Sequence, residues 1–301
     1  MAIRYRAAAV RVVKGCAAAK QGGELIDLVE MHCTDEENAH LLHDDANEQA
    51  RRFERLLGAV VEVIDDYESR RLLAPLRQSE HAPTFLVFAF TEVEGEPGLS
   101  DLHARMCLQP ELETLLWNLD DNLFEALCGR LLERIGCIGV TVTQQSQDSG
   151  VDFIARLPVA AGVDNAAPGI ATFLRVVGSI AFLLYGQAKR YGPDNPVDAD
   201  TVHKLVGSWQ DRRNEYADNT IQQAAREALE RAMYRAADPA LLVIATTSTY
   251  TRAAVRRAQA TGVVLLDGEQ IAQLLLQLAL GVELDGTDWR ADADSLDAAC
   301  A

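Results

Sequence analysis

From about residue 121 onward, short apolar runs alternate with longer segments in which apolar residues recur every three or four positions. The short runs have the length of buried strands, and the longer segments have the period of helices with one buried face. Because helices between strands cover the faces of a sheet, this alternation predicts an α/β fold with a mixed central sheet flanked by helices. The predicted strands are 138–143, 151–157, 180–186, 241–245 and 263–266, and the predicted helices are 123–135, one starting near 200, 219–236, 251–261 and 268–280.

The first 118 residues lack this alternation and predict a separate α+β domain. The expected strands are Ile3–Val13, Glu24–Met31 and Thr84–Val93, and the expected helix is Asp35–Leu73. Thr34 precedes that helix and Glu37 follows three residues later, which is the spacing of a capping box. No chemical motif is present here, so the domain could be a sensor, an assembly element or, against its acidity, a DNA-reading module. We expect the α/β domain to span 119–282 and residues 283–301 to form a flexible acidic tail.

Charge is unevenly distributed along the chain. The 45 acidic residues outnumber the 28 basic residues, for a net charge of −17. A uniformly acidic surface would repel nucleic acids and anionic membranes. Residues 204–257 depart from this trend, with nine basic and six acidic residues, so a site for a polyanion is expected in the second half.

The sequence also predicts a cytoplasmic protein without a membrane partner. No run reaches the ~18 apolar residues of a transmembrane helix. Charged residues interrupt the apolar N-terminus, which excludes a secretory signal there. The six cysteines include no C-x-x-C pair, which favours free thiols in a reducing compartment.

Polar side chains mark the ends of two predicted strands. Asp152 follows a polar turn at the start of strand 151–157, and Gln187 and Lys189 follow strand 180–186. Residues two apart in an extended chain project to the same face, so Gln187 and Lys189 lie together. A carboxylate, an amide oxygen and a lysine at adjacent strands suit phosphodiester hydrolysis.

Asp152 and Gln187 would supply the oxygen ligands that Mg²⁺ or Mn²⁺ prefers. A divalent cation lowers the pKa of a bound water and stabilises the charge that develops on the phosphate. Lys189 would orient that water or neutralise the phosphate. The expected cofactor is therefore Mg²⁺ (or Mn²⁺).

Seven short motifs follow one another between about residues 121 and 280. They are Phe124-Glu125-x-Leu127, Leu131-Leu132-Glu133-x-x-Gly136, Asp148-Ser149-Gly150-Val151-Asp152, Gln187-Ala188-Lys189-Arg190-Tyr191, Val202-x-x-Leu205-x-Gly207, Ala245-Thr246-Thr247-Ser248-Thr249-Tyr250-Thr251-x-x-Ala254 and Leu265-Leu266-Asp267-Gly268. Together they strongly resemble the catalytic domain of the Mrr-like restriction endonucleases, a branch of the PD-(D/E)XK nuclease superfamily. The resemblance implies a restriction-endonuclease-like core and leaves residues 1–118 unassigned.

The resemblance also implies roles for individual residues. Asp152 is similar to the family's metal-binding aspartate, and Gln187 and Lys189 are similar to its Q-x-K pair. Glu125 matches the acidic residue of the first helix and joins the predicted catalytic set, although a solvent-facing helix position is an equally open interpretation. Asp148 matches the first acid of the family's Asp-Gly-Gly-Val-Asp turn and is a predicted metal ligand, with a turn residue as the alternative interpretation that its position favours.

This sequence departs from the family pattern in three places. Ser149 stands where the family commonly has a glycine in the turn. Asp152 and Gln187 are 35 positions apart, so an insert at about 158–175 must loop out of the sheet. A further helical insert lies around 212–237.

Basic and hydroxyl side chains in the second half are candidates for contact with DNA. Thr247 and Ser248 precede a predicted helix, whose N-terminus can hold a phosphate. The complete predicted DNA-binding set is Arg190, Thr247, Ser248, Arg252, Arg256 and Arg257. For the three arginines of helix 251–261, a purely solvated face is an equally open interpretation.

We therefore expect a metal-dependent DNA endonuclease that serves prokaryotic defence or restriction and that residues 1–118 control. A regulatory protein, a small-molecule activator or self-assembly into a homo-oligomer could provide that control. Two alternatives stay open. One is a non-catalytic DNA- or protein-binding module that retains the nuclease fold, and the other is an RNA nuclease.

Overall fold

The structure is a computed structural model that describes residues 2–42, 45–79, 82, 84–90, 97–143, 150–158, 181–235, 238–286 and 288–300. The chain divides into two compact units. Unit 1 contains Met1–Leu112 and Val282–Asp292, and unit 2 contains Glu113–Gly281 and Ala293–Ala301. The first division therefore falls between residues 112 and 113, whereas the sequence placed it after residue 118.

Unit 1 combines helices with two small sheets. Its elements are α1 (Ala2–Ala19), β1 (Gly23–Glu24), α2 (Leu25–His32), α3 (Asp35–Leu41), α4 (Ala46–Ser69), β2 (Leu76–Gln78), β3 (Phe85–Phe88), α5 (Pro97–Met106), β9 (Val282–Asp285) and β10 (Asp288–Ala291). Strand β3 pairs with β1 and β2, and β9 pairs with β10, all antiparallel. Helix α6 (Gln109–Asn118) spans the division between the units.

Two predicted strands of unit 1 are wrong. Ile3–Val13 lies within α1, where Tyr5, Ala8, Ala9, Val12, Val13 and Cys16 are buried at the spacing of one helix face. Most of Glu24–Met31 is α2, whose buried Leu25, Leu28 and Val29 have the same spacing. Within the predicted strand Thr84–Val93, β3 covers Phe85–Phe88, and residues 91–93 lie outside the described residues.

The predicted helix Asp35–Leu73 is interrupted. It consists of α3 and α4, and Asp45 caps the start of α4 by accepting hydrogen bonds from Asn47 N and Glu48 N. The capping box of Thr34 and Glu37 at the start of α3 is confirmed.

Unit 2 is the predicted α/β domain. Its elements are α7 (Asp121–Arg134), β4 (Ile138–Val142), β5 (Phe153–Pro158), β6 (Ala181–Lys189), α8 (Ala199–Ala217), α9 (Gln223–Arg231), β7 (Ala240–Thr246), α10 (Arg252–Thr261), β8 (Val264–Leu266), α11 (Gly268–Gln277) and α12 (Ala293–Cys300). The five-stranded sheet has the order β4-β5-β6-β7-β8. The β4–β5 and β5–β6 pairs are antiparallel, and the β6–β7 and β7–β8 pairs are parallel. The predicted mixed sheet flanked by helices is therefore confirmed.

Helix α9 is shorter than the predicted segment 219–236. Asn219 has a φ of 60°, a left-handed conformation that ends the preceding helical stretch. Gln222 is extended, and α9 begins only after it.

The acidic C-terminal segment is folded, so the expectation of a flexible tail is wrong. Residues 282–285 and 288–291 form the β9–β10 hairpin, in which Arg290 binds Glu283 at 2.9 Å and Asp285 at 3.4 Å. Leu296 and Ala299 of α12 are buried. The segment folds because these apolar positions are buried while the acidic residues face solvent or pair with Arg290.

The strand directions of unit 2 bring three chain positions to one edge of the sheet. Strands β6 and β7 are parallel, so their last residues, Lys189 and Thr246, lie side by side. Strand β5 is antiparallel to β6, so the residues that precede Phe153 reach the same edge. The core below this edge includes Ile154, Leu183, Tyr185, Ile244 and, from α8, Trp209. Within the described residues, no helix is long and apolar enough to cross a membrane.

Candidate active site

Asp152 and Gln187 lie at the same end of the β5–β6 ladder. Asp152 directly precedes Phe153, which the ladder pairs with Gly186, and Gln187 directly follows Gly186. The backbone N–H of Asp152 donates to the carbonyl of Gly186 at 2.9 Å, so strand contact continues to Asp152. Gln187 and Lys189 then share a face of β6, as the sequence predicts.

The carboxylate of Asp152 is fixed by two neighbours on β6. Its Oδ2 accepts a hydrogen bond from the backbone N–H of Ala188 at 2.8 Å and lies 3.7 Å from Nζ of Lys189. Burial raises the pKa of Asp152, although Lys189 and the Ala188 N–H both act to lower it. The two contacts therefore hold the carboxylate in place without offsetting the cost of its burial.

Glu125 lies on α7 and is 9% exposed. Its pKa is raised to about 7, first by burial and then by the negative charge of Asp152, while Lys189 acts to lower it. Because the charges of Asp152 and Lys189 both affect its pKa, Glu125 belongs to the same cluster of side chains as these two residues. The structure thus brings together Glu125, Asp152, Gln187 and Lys189, the four predicted catalytic residues.

Gln187 is buried beneath Gly150. Its side chain is 7% exposed, and a Cβ at position 150 would lie 2.8 Å from its Nε2. Gly150 also has a φ of 71°, which residues with a side chain rarely adopt. Glycine at position 150 therefore leaves the space that the carboxamide of Gln187 occupies.

The donors at this edge fit a hard divalent cation. Asp152 and Glu125 are acids whose pKa values are raised first by burial, and Gln187 adds a neutral oxygen. Among the residues that the structure describes, no three histidine, cysteine, aspartate or glutamate side chains form a metal-binding group. Asp148, the other predicted ligand, lies in 144–149, outside the described residues.

The predicted DNA-binding residues separate into two groups. Arg190, Arg252, Arg256 and Arg257 are at the surface, and Nε of Arg190 donates to Oδ1 of Asp121 at 3.1 Å. Thr247 and Ser248 are 1% and 3% exposed, and both hydroxyls contact main-chain carbonyl groups. In this structure both hydroxyls are engaged with the protein's own backbone, and their contact with DNA stays a prediction.

Sequence reasoning missed two contributors to this arrangement. Thr246 is fully buried, and its hydroxyl donates to the carbonyl of Lys189. Asp121 pairs with Arg190 from the first turn of α7. The sequence does show a threonine at the end of a buried strand. Such a residue can cap the next helix or support the neighbouring strand, and the sequence does not distinguish the two.

The pKa of Glu125 predicts a pH-dependent stability. An unfolded glutamate titrates near pH 4.3, so the folded protein binds this proton more tightly and loses stability as pH rises from about 4 to 7. Without metal, Glu125→Gln should raise the free energy of unfolding at pH 8 by roughly 1–3 kcal/mol, and by much less at pH 5. Urea denaturation in EDTA at both pH values measures this difference.

Glu133→Gln is the matched control, because Glu133 lies on the same helix but is exposed and paired with Arg130. It should show no comparable gain at pH 8. Equal effects of Glu125→Gln at pH 5 and pH 8 would contradict the raised pKa.

In a comparison with protein families, residues 116–231 match a family described as restriction endonuclease. This match confirms the resemblance inferred from the sequence motifs. A comparison with curated proteins finds no match.

Three solved structures are similar over most of this chain. The MspJI restriction endonuclease in complex with a 27-mer oligonucleotide is 18% identical, with 76% of this chain and 39% of that chain covered and a TM-score of 0.39. The DNA modification-dependent restriction endonuclease AspBHI is 16% identical, with 73% and 44% covered and a TM-score of 0.40. The restriction endonuclease FokI bound to DNA is 10% identical, with 91% and 44% covered and a TM-score of 0.35. The matched region spans less than half of each of these chains.

Proposed function

We propose that this protein is a divalent-metal-dependent endonuclease that hydrolyses phosphodiester bonds in DNA. One observation carries the proposal: Asp152, Gln187, Lys189 and Glu125 converge at one edge of the sheet, within the segment that matches the restriction endonuclease family. This set combines oxygen donors for a cation with a positive charge for a phosphate.

The chemistry of each side chain indicates its role in the proposed hydrolysis. Asp152, Gln187 and Glu125 would hold the cation, which when bound polarises water and a phosphate oxygen. The ammonium of Lys189, next to Asp152 and 28% exposed, is placed to hold a proton or neutralise charge at the scissile phosphate. Ala188 N–H fixes the orientation of Asp152, so the acid need not reorganise when substrate arrives.

The direct test is incubation of the purified protein with supercoiled plasmid DNA in Mg²⁺ or Mn²⁺, with an EDTA control. Nicked or linear plasmid that forms only with the metal supports the proposal. A parallel incubation with structured RNA distinguishes the RNA-nuclease alternative. Metal-independent binding of DNA without cleavage would instead favour the non-catalytic module.

A nuclease endangers the DNA of its host, so we propose that unit 1 controls cleavage through a ligand, a protein partner or assembly of several copies. We further propose a cytoplasmic role in prokaryotic defence or restriction. Equal phage plating on cells that express the active protein and an inactive Asp152 variant would contradict the defence role.

Exposed arginines on α10 offer a contact surface for the DNA backbone. Neutralising Arg252, Arg256 and Arg257 together to glutamine should weaken binding to all sequences, because phosphate contacts carry no sequence information. The slope of log affinity against log salt should become shallower by roughly 2–3, about 0.9 for each lost contact. Fluorescence anisotropy in Ca²⁺ over a range of salt concentrations measures both effects.

A control variant with the same change in net charge distinguishes direct contact between α10 and DNA from a general effect of the protein's net charge. Arg51, Arg55 and Arg77 are exposed in unit 1, and their replacement by glutamine should leave the salt slope nearly unchanged. If the α10 variant kept the wild-type slope, the DNA backbone would have to follow another surface.

A further inference from the structure

Two threonines at the end of β7 are buried at the point where the pairing of β6 with β7 ends. The parallel ladder between β6 and β7 ends with Lys189 opposite Thr246, and Thr247 is the next residue. Thr246 is 0% exposed and Thr247 is 1% exposed. Buried hydroxyl groups are nearly always hydrogen-bonded, so the partners of these two indicate what the residues do.

Both hydroxyls bond to the main chain at the exit of β6. Thr246 Oγ1 donates to the carbonyl of Lys189 at 2.6 Å. Thr247 Oγ1 donates to the carbonyl of Tyr191 at 2.7 Å and accepts from the N–H of Tyr191 at 2.9 Å. The N–H of Thr247 also reaches the carbonyl of Lys189 at 3.4 Å. Thr246 and Thr247, here called the threonine clamp, therefore hold the backbone on both sides of Arg190.

The threonine clamp is itself held from the opposite side. The indole N–H of Trp117 donates to the carbonyl of Thr247 at 2.8 Å. Gly268 approaches so closely that a Cβ there would lie 2.3 Å from the same carbonyl oxygen, and its N–H donates to the carbonyl of Ser248 at 2.9 Å. The clamp is therefore bonded both to strand β6 and to Trp117, which holds it at the strand end.

We propose that the threonine clamp is a positioning device that holds Lys189 at the distance from Asp152 that cleavage requires. Lys189 is the last residue of β6, where a strand without further ladder bonds would fray. The clamp supplies the missing bonds at Lys189 and Tyr191, so the side chain of Lys189 leaves the backbone from a fixed point. This inference rests on the proposed function, in which Lys189 acts at the scissile phosphate.

The test compares Thr247→Val, which keeps the shape and removes the hydroxyl, with Thr247→Ser, which keeps the hydroxyl. Thr220→Val is the matched control, because its hydroxyl contacts the carbonyl of Glu215, outside the site. Three measurements are made on each full-length variant: reaction of Lys189 with an amine-acylating reagent relative to Lys204, followed by mass spectrometry; single-turnover cleavage at saturating Mg²⁺; and DNA affinity in Ca²⁺.

Thr247→Val should raise the labelling of Lys189 by ~3-fold or more, because loosening the strand end frees its ammonium from Asp152. It should slow cleavage by about 10- to 100-fold with little change in DNA affinity, the size expected when a catalytic group moves by up to 1 Å. Thr247→Ser should restore both quantities, and Thr220→Val should alter neither.

Unchanged labelling of Lys189 in folded Thr247→Val would overturn the proposal, as would a loss of DNA affinity that matches the loss of rate. The labelling measurement does not require an active enzyme. If the wild-type protein failed to cleave DNA, the proposed function would fall, while labelling would still decide whether the clamp positions Lys189.

Discussion

Replacing Asp152 with asparagine should abolish cleavage, with a loss of rate on the order of 10³-fold or more. Asp152 is the acid at the centre of the candidate site: its carboxylate accepts from Ala188 N–H and lies beside Lys189. Asparagine keeps the shape and can still accept the Ala188 hydrogen bond, but it removes the negative charge that attracts a cation. The measurement is the initial rate of plasmid nicking in Mg²⁺.

The fold should survive this substitution. Burial raises the pKa of Asp152, so its charge destabilises the metal-free protein, and a neutral side chain relieves that cost. Asp200→Asn is the matched control, since Asp200 forms an exposed pair with Lys204. Near-wild-type nicking by Asp152→Asn, in a preparation free of other nucleases, would contradict the site assignment.

The α/β domain was predictable because its strands and helices differ in period and are separated by clear turns. The same sequence signals failed in unit 1. In α1, charged residues alternate weakly with alanine and valine, and this pattern resembled that of a strand. The packing of α1 against α4 stabilises the helix. The hydrophobic period of α1 alone does not reveal this contact.

The candidate site was predictable as a set of residues but not as an electrostatic arrangement. Motif order places Asp152, Gln187 and Lys189 together, since register and strand parity follow from an extended chain. The pKa of Glu125 depends on packing of α7 and on the charge of Asp152, which lies 27 positions away in sequence. Only the fold brings these groups close enough to interact.

Thr247 shows how the same motif can carry a different role. A hydroxyl before a helix suggests a phosphate site when its exposure is unknown. In the structure its hydroxyl is directed to Tyr191, because the parallel ends of β6 and β7 place their exits side by side. Sequence identifies the hydroxyl, and the neighbouring strand determines its partner.

Lys189→Ala should reduce the cleavage rate by at least ~10²-fold, the scale for losing one positioned charge or proton-transfer group. Nζ of Lys189 lies 3.7 Å from Asp152 Oδ2, so its ammonium is at the predicted metal site. DNA affinity in Ca²⁺ should fall much less, since one phosphate contact is a small part of a polyelectrolyte interaction. Lys204→Ala, at an exposed pair on α8, should change neither quantity.

Lys189→Arg separates charge from geometry. Arginine keeps the positive charge, but its planar guanidinium is broader than an ammonium and does not release a proton at neutral pH. If Lys189 acts at the reacting phosphate or its water, Lys189→Arg should recover DNA affinity fully and the cleavage rate only in part. If Lys189 is a tether for the DNA backbone, affinity and rate should fall in equal proportion in Lys189→Ala and recover together in Lys189→Arg. That second pattern would contradict a catalytic role, because a group that acts only in the transition state changes the rate without an equal change in binding.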